Sequence, residues 1–266
     1  MSDYGLDDEF VGIVHRVIQA TAPGVPVIDL THGIRPHDVR AGALALWRNA
    51  PWLGGSVVLA VVDPGVGTSR RPVAVEVATA RTVLVGPDNG LLLPAAHALG
   101  GPSAAVTLRR LSPRAGVPPG LGSTFDGRDL FSPVAARIAA GECSLDQIGD
   151  RVDPASLAGD PVPVPGRDDH GLLRCEVLWI DRFGNAQLNA QPSDVAGWGG
   201  GLTVAAGAGV AVPARLVRAF GELGHGELGL VTDSYGLLAL TINGSTAAAG
   251  LGISEGDPVW IGPAGD

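Results

Sequence analysis

Lysine is absent from this chain of 266 residues, and all 18 of its basic residues are arginine. This absence excludes Schiff-base chemistry on a lysine amine, and it excludes the lysine of a phosphate-binding loop. Cysteine is nearly absent too, since the chain has only Cys143 and Cys175. Two cysteines are too few for a disulfide framework or a zinc ribbon, so neither kind of small stapled domain is expected.

Charge of either sign is scarce, at 17% of residues, and the net charge is −9 with no basic cluster to offset it. This balance argues against nucleic acid or an anionic membrane as a partner and favours a small-molecule ligand. No apolar run is long enough to span a membrane, and the acidic start, MSDYGLDDEF, is unlike a signal peptide. We therefore expect a cytoplasmic protein.

Aromatic residues make up only 5% of the chain, but hydrophobic residues make up 45%, so aliphatic side chains must fill the core. In the first part of the sequence, helical spacing over 7–20, 37–50 and 129–141 alternates with apolar runs at 25–30, 56–63, 72–78, 82–88 and 104–108. Such runs are typical of strands buried on both faces. The pattern predicts an α/β domain with a mostly parallel sheet.

The pattern changes after the proline-rich stretch LAGDPVPVPGRDDH (157–170), which is typical of a domain boundary. Beyond it the chain has short β-rich runs and no long helical pattern; they lie at 175–181, 201–207, 210–220, 227–233, 236–242 and 257–262. We predict an α/β domain over 1–160, a linker over 161–167 and a smaller, all-β, barrel-like domain over 168–266.

Three acids stand in turns where strands of the predicted sheet would end or begin. Asp63 lies in VVDPGVG, Asp88 lies in GPDNG, and Asp3 lies at the start of the chain. Ligands of open α/β sheets bind beyond the carboxyl ends of the strands, so these acids are predicted to converge on a site. The alternative is that Asp, Pro and Gly are simply the residues that turns require. Only Met1 precedes the turn at Asp3, which suggests either a truncated chain or a misassigned start.

Metal and nucleophile motifs are weak. His32 and His37 are five residues apart with no third ligand nearby in the sequence, so we predict ordinary hydrogen bonding and no metal site. Ser123 and Thr124 lack a histidine partner in any known arrangement, which disfavours a serine hydrolase.

The whole chain nevertheless resembles one family. The segments that carry the resemblance are, in order, SDYGLDDEFVG, THGIRPHDV, VVDPGVGTSRR, GPDNGLL, STFDGRDLFSPVAA, IDRFGN and DSYG followed by ING. They closely resemble the S-adenosyl-L-methionine (SAM) hydroxide adenosyltransferases, also called SAM hydrolases, which are relatives of the fluorinases and chlorinases. The resemblance implies an N-terminal α/β domain, a C-terminal β-barrel-like domain and homotrimers that bind SAM between neighbouring subunits. It implies no metal and no redox cofactor.

The resemblance also implies a role for individual residues. Asp3 matches the acid that grips the ribose hydroxyls, Asp181 matches the group that holds the methionine ammonium, and Ser234 matches a group at the amino-acid end. The remaining substrate contacts, around adenine, match Phe183, Asn185, Phe220, Asn243 and Gly244. Asp63 and Arg70 match two members of an Asp-Arg-His set that activates water.

The third member of that set, a histidine, is replaced here by Asp126 in the segment TFDGRD. One hypothesis is that Asp126 substitutes for histidine as a base or an orienting acceptor, because two carboxylates around one arginine would raise a pKa toward a useful value. The alternative is that Asp126 only pairs with Arg128 or caps the helix at 129–141, which would impair water activation.

The expected reaction is hydrolysis of SAM to adenosine and L-methionine by attack of activated water at ribose C5′. One rival is a chlorinase-like halogenase, which the carboxylates of Asp63 and Asp126 disfavour because they would repel a halide. The other rival is a protein that binds SAM or adenosine without turnover.

Overall fold

The computed structural model describes residues 1–113, 118, 123–159, 162–206, 209 and 211–264. The chain divides into two compact units, Met1–Pro161 and Val162–Asp266. Residues 160 and 161, at the predicted domain boundary, and residues 207 and 210, within two predicted strands, lie outside the described residues. Within the described ranges, no helix has both the length and the apolar character needed to cross a membrane.

The first unit contains a five-stranded sheet with the order β1-β3-β2-β4-β5. Its strands are β1 (Val57–Leu59), β2 (Pro72–Val77), β3 (Thr82–Pro87), β4 (Ala104–Leu108) and β5 (Gly149–Val152). Its helices are α1 (Phe10–Thr21), α2 (Val39–Asn49), α3 (Leu93–Ala98), α4 (Ser132–Ala139) and α5 (Leu145–Ile148).

The sheet is mixed, and the prediction of a mostly parallel sheet is wrong. Only β1 and β3 pair in parallel, whereas β2 pairs antiparallel with β3 and with β4, and β4 pairs antiparallel with β5. The cause is the short connection at 78–81, where Arg81 has a φ of 52°, because a parallel pair would need a much longer crossover. Apolar runs indicate that both faces are buried but do not encode strand direction.

The start of the chain lies beside the sheet, next to the segment that follows β1. Ser2 forms a parallel bridge with Val61, and its amide donates to the carbonyl of Thr31 at 3.1 Å. The Gly5 amide donates to the carbonyl of His32 at 2.9 Å. Residues 25–30 themselves form no strand, so that prediction is wrong, and the predicted strand at 56–63 is shorter than expected.

The predicted helices are confirmed with shifted ends. Helix α1 buries Val11, Val14, Val17 and Ile18, which is the face that the helical spacing predicts. The helix predicted over 129–141 begins with a π-helical turn, Gly127–Phe131, and continues as α4. Single π-turns inside helices occur frequently at functional sites, and this one directly follows Asp126.

The second unit is a closed barrel of seven strands, which confirms the barrel-like prediction. The ring runs β13-β9-β10-β11-β12-β8-β7 and closes because β13 also pairs with β7, while β6 adds to the edge of β7. The strands are β6 (Gly166–Arg167), β7 (Leu173–Ile180), β8 (Ala186–Leu188), β9 (Gly201–Ala206), β10 (Val212–Val217), β11 (Leu228–Thr232), β12 (Leu238–Ile242) and β13 (Pro258–Pro263), with helix α6 (Ala247–Leu251) before β13. Alternate residues of these strands, such as Leu202, Val204, Leu230 and Leu240, fill the interior.

Candidate active site

Asp63 and Arg70 face each other across the turn that follows β1. The turn is closed by the Val66 amide, which donates to the Asp63 carbonyl at 3.3 Å. The guanidinium of Arg70 then returns to the Asp63 side chain, where Nε donates to Oδ1 at 3.0 Å and Nη2 donates to Oδ2. This is the two-pronged pairing that a guanidinium and a carboxylate favour, and it fixes the orientation of both groups.

Asp126 joins this pair from a distant part of the chain. Its Oδ2 accepts from Nη2 of Arg70 at 3.0 Å, and its Oδ1 accepts from Nη2 of Arg110. Arg128 instead pairs with its neighbour Asp129, with bonds of 2.6 and 2.9 Å, and the Asp126 side chain makes no capping hydrogen bond. The alternative that Asp126 merely pairs with Arg128 or caps the helix is therefore wrong.

We call Asp63, Arg70, Asp126 and Arg110 the acid–arginine network. The side chains of Asp63, Arg70 and Asp126 are only 5, 8 and 9% exposed, whereas that of Arg110 is 52% exposed. Burial raises the pKa of Asp63 above its usual value, Arg70 opposes this rise, and the nearby charge of Asp126 adds to it. Two acids and two arginines balance in formal charge, so the network can be buried without a large uncompensated charge.

Tyr4 is a polar neighbour of the network that the sequence analysis missed. Its ring packs against Phe10 and Phe125, with centroids 5.8 and 5.6 Å away. Burial, followed by the charges of Asp3, Asp63 and Asp126, raises the pKa of the phenol well above its usual value. The hydroxyl consequently stays protonated and can donate a hydrogen bond among these carboxylates.

Asp3 lies in a loop that His32 holds in place. The Asp3 carboxylate accepts from the backbone amide of His37 at 2.9 Å, and His37 has a φ of 68°, which is unusual for a residue with a side chain. His32 contacts the same loop through its Nδ1, 2.8 Å from the Ser2 hydroxyl oxygen. That oxygen also accepts from the Tyr4 amide at 3.2 Å, so the buried imidazole positions the residues on both sides of Asp3.

Asp88 does not join the network, although it was predicted to converge with Asp3 and Asp63. Its Oδ2 accepts from Nε of Arg71 at 2.7 Å, and its Oδ1 accepts from the amide of Ala158 at 2.7 Å. Arg71 in turn donates to Ser156. Asp88 therefore anchors the segment before the end of the first unit.

In the second unit, Asp181 organises the turn that connects β7 to β8. Its Oδ1 accepts from the amides of Phe183 and Asn185, both at 2.9 Å, and its Oδ2 accepts from the Asn185 side chain at 2.8 Å. The Phe183 side chain is 72% exposed. Gly184 lies so close to Thr246 that an added Cβ would be 2.3 Å from the threonine Cβ, which places this turn beside the segment that follows β12.

That segment contains Asn243 and Gly244, so the structure brings these two residues near the Asp181 turn. The Asn243 side chain donates to the carbonyl of Leu223 at 2.6 Å, close in sequence to Phe220, which is 53% exposed. Gly244 has a φ of 80° and lies against His225. Four of the five predicted contacts around adenine, namely Phe183, Asn185, Asn243 and Gly244, therefore cluster at one end of the barrel.

Ser234 lies in the turn between β11 and β12, at the opposite end of β12 from Asn243 and Gly244. Thr232 pairs with Leu238 there, whereas Ala186, which follows the Asp181 turn, pairs with Leu240 of the same strand. The position on β12 that lies level with the Asp181 turn is several residues from the position that lies level with Ser234. Each residue of a strand spans about 3.4 Å. The Gln187 side chain nevertheless donates to the Asp233 carboxylate, which places Ser234 beside β8, the strand that follows the Asp181 turn.

Comparisons with known proteins identify the family. The SAM hydroxide adenosyltransferase N-terminal domain matches residues 1–149, and the C-terminal domain of the same family matches residues 175–260. A protein of Salinispora tropica named (R)-S-adenosyl-L-methionine hydrolase is 45% identical over 98% of this chain and 95% of that protein. A Thermus thermophilus protein with the same name is 42% identical over 98% of this chain and 97% of that protein.

A crystal structure of an uncharacterised conserved protein from Thermotoga maritima matches with a TM-score of 0.86 and 30% identity, covering 98% of this chain and 97% of that chain. Proteins named fluorinase are more distant, and one from Actinoplanes is 25% identical over 98% of this chain and 95% of that protein. Both family domains and the relatives that span nearly the whole chain lead to one conclusion. The chain belongs to the SAM hydroxide adenosyltransferase family.

Proposed function

We propose that this protein hydrolyses S-adenosyl-L-methionine to adenosine and L-methionine. The observation that carries the proposal is the buried network in which Arg70 bridges Asp63 and Asp126. The two relatives described above are named hydrolases of (R)-S-adenosyl-L-methionine. We therefore include the R configuration at the sulfonium among the forms that this chain accepts.

The proposed reaction is a displacement at C5′ of the ribose. Methionine leaves as a neutral thioether, so the leaving group needs no general acid, and the enzyme must supply a well-placed oxygen nucleophile. Water is a poor nucleophile, with a pKa of about 15.7, and a basic group must take its proton. Arg70 would stabilise the hydroxide character that develops on the attacking oxygen.

Asp63 is the better proton acceptor of the two network acids. Its pKa is raised chiefly by burial, which brings it closer to the value useful in a general base. Asp126 contacts two guanidinium groups, those of Arg70 and Arg110, whereas Asp63 pairs with Arg70 alone, so a proton on Asp126 would weaken its pairing with two cations instead of one. We infer that Asp126 orients Arg70 and the water while its charge keeps the pKa of Asp63 high.

Tyr4 and Asp3 complete the proposed site in the first unit. Asp3, held by the His37 amide, would accept the ribose hydroxyls. Tyr4 would donate a hydrogen bond toward the acids or the water, because its phenol stays protonated beside three carboxylates.

The second unit would supply the remaining contacts to the substrate. Phe183 and Phe220, both largely exposed here, would offer ring faces for adenine. Asn185 shares the Asp181 turn with Phe183, and Asn243 and Gly244 lie in the segment beside that turn. Asp181 and Ser234 would hold the amino-acid end. We also propose a homotrimer in which a neighbouring subunit completes each site, which is consistent with the exposure of the two phenylalanines. No metal or other cofactor is proposed for the reaction, and the proposed location is the cytoplasm.

The product test is chromatography of purified protein incubated separately with the S and R forms of SAM, with and without excess chloride. The proposal expects adenosine and methionine in equal amounts, unaffected by chloride. A chlorinated nucleoside would support a halogenase, which the two buried carboxylates disfavour. If the protein binds both the S and the R form of SAM but converts neither, the result would support a protein that binds SAM without turnover.

A further inference from the structure

His15 and His32 converge on one carboxylate oxygen in the first unit. Nε2 of His15 lies 2.9 Å from Oδ1 of Asp29, and Nε2 of His32 lies 3.0 Å from the same oxygen. The three atoms all lie within 4.8 Å of one another. His15 projects from α1, whereas Asp29 and His32 belong to the extended segment that follows it. The sequence analysis missed this group, because His15 belongs to the helix and lies 14 residues from Asp29 along the chain.

We propose that His15, Asp29 and His32 bind a divalent transition-metal ion, with Zn²⁺ as the most suitable. Two imidazoles and a carboxylate are ligands that zinc, cobalt and nickel accept, whereas calcium and magnesium prefer oxygen ligands alone. In tetrahedral zinc sites with bonds of about 2.1 Å, ligand atoms lie about 3.4 Å apart. Two of the three separations are already within about half an ångström of that value, so an ion needs only a small spreading of the side chains.

The surroundings of His32 fit a metal ligand. Metal-binding histidines donate their other ring N–H to a neighbouring acceptor, and Nδ1 of His32 lies 2.8 Å from the Ser2 hydroxyl oxygen. The His32 side chain is only 8% exposed and so has little freedom to turn away. His15 and Asp29 are 38 and 43% exposed, which leaves an open route for an ion and room for a water ligand.

The bound ion would link three segments that hydrogen bonds and side-chain packing already hold together. These are helix α1, the segment at 29–32 and, through Ser2, the loop that carries Asp3. The proposed role is to stabilise this part of the first unit, and the ion takes no part in the reaction at C5′. The site is therefore tested independently of any SAM hydrolysis.

The experiment is calorimetric titration of the metal-stripped, untagged protein with Zn²⁺ at neutral pH. The proposal expects about one ion per chain, and at least a tenfold weaker affinity in His15→Ala and in Asp29→Asn. His15→Ala is the main variant because this side chain is partly exposed on a helix, so its loss should leave the fold intact. His170→Ala, which removes an exposed histidine of the second unit, is the matched control and should bind as the wild type does.

Two further readouts decide the matter. Co²⁺ should give the visible absorption of a four- or five-coordinate site in the wild type but not in His15→Ala, and Zn²⁺ should raise the melting temperature only where His15 is present. Affinity should fall below about pH 6.5 as the histidines take up protons. Failure to bind Zn²⁺, or equal binding by the wild type and His15→Ala, would mean that the cluster is only a hydrogen-bonded His–Asp–His group and would overturn the proposal.

Discussion

The Tyr4 hydroxyl occupies the space that a side chain at Gly127 would need. A Cβ added at Gly127 would lie 2.1 Å from the Tyr4 oxygen and 3.1 Å from its ring carbon Cζ. The turn that begins beside Asp126 therefore packs closely against the Tyr4 phenol. This contact explains why a glycine follows Asp126, and it places Tyr4 against the proposed site.

Gly127→Ala should destabilise the protein by about 1–3 kcal/mol, because a new methyl group would press on the phenol. In the Tyr4→Phe background the same substitution should cost less, since the closest atom is gone. Urea unfolding of the two single variants and the double variant measures this coupling. Gly12→Ala, in open space on helix α1, is the control and should be neutral or stabilising. Strictly additive effects at positions 4 and 127 would contradict the contact.

Tyr4→Phe should lower kcat about tenfold with little change in KM. The variant keeps the packing against Phe10 and Phe125 but removes the hydroxyl donor that lies beside the carboxylates. Steady-state kinetics of adenosine release check this prediction. A Phe variant as fast as the wild type would limit Tyr4 to a packing role.

Asp126→Asn should reduce kcat/KM by a factor of about 10²–10³, the range for loss of one preorganised electrostatic group at an active site. The amide cannot carry the charge that both guanidinium groups contact. Asp126→His should keep more activity than Asp126→Asn, because an imidazole, unlike an amide, can also take up a proton from the water. Equal rates for Asp126→Asn and the wild type would show that Asp126 takes no part in water activation.

The pH dependence of kcat/KM should report the protonation of the Asp63 carboxylate. Because burial raises its pKa, the reactive anion is present above that raised value and is lost as the pH falls through it. The acid limb of kcat/KM should therefore lie above the ordinary aspartate value of 3.8. The charge of Asp126 contributes to the rise, so Asp126→Asn should shift the limb toward lower pH. An upward shift in that variant would contradict the proposed charge coupling.

Arg110 should contribute to kcat/KM only while residue 126 is an acid. Arg110→Gln leaves Asp126 with one partner and should lower kcat/KM several-fold, with little loss of stability because the arginine is half-exposed. In the Asp126→His background, Arg110→Gln should raise kcat/KM or leave it unchanged, because it removes a cation that no longer faces a carboxylate. Arg109→Gln, which breaks only an exposed pair with Asp150, is the matched control. A loss from Arg110→Gln of the same size in both backgrounds would show that Arg110 acts independently of Asp126.

The sequence predicted the helices and the change of pattern after residue 157 well, because both follow from periodicity and turn composition. It failed on strand direction in the first unit, where the short connection between β2 and β3 decides the pairing. It also failed on residues 25–30, which form no strand, and it did not predict that Ser2 would bridge to Val61. Apolar content alone cannot show which of two segments occupies a sheet edge.

The site was predictable where it is local or repeats a family motif. Asp63 and Arg70 share one turn, and Asp126 stands in a recognisable segment. Tyr4 and Arg110 were missed because their contacts are with residues further along the chain: Tyr4 with Gly127, and Arg110 with Asp126, which is 16 residues away in the sequence. Only the folded chain shows that these two residues adjoin the predicted acids.

The most direct test of the account is the source of the 5′ oxygen in the product. We would incubate the protein with SAM in ¹⁸O-labelled water and analyse the adenosine by mass spectrometry. Attack of water at C5′ predicts adenosine with one ¹⁸O at its 5′ position, formed far more slowly by Asp63→Asn than by the wild type. Unlabelled adenosine, or no adenosine from the wild-type protein with either form of SAM, would contradict the proposed hydrolysis.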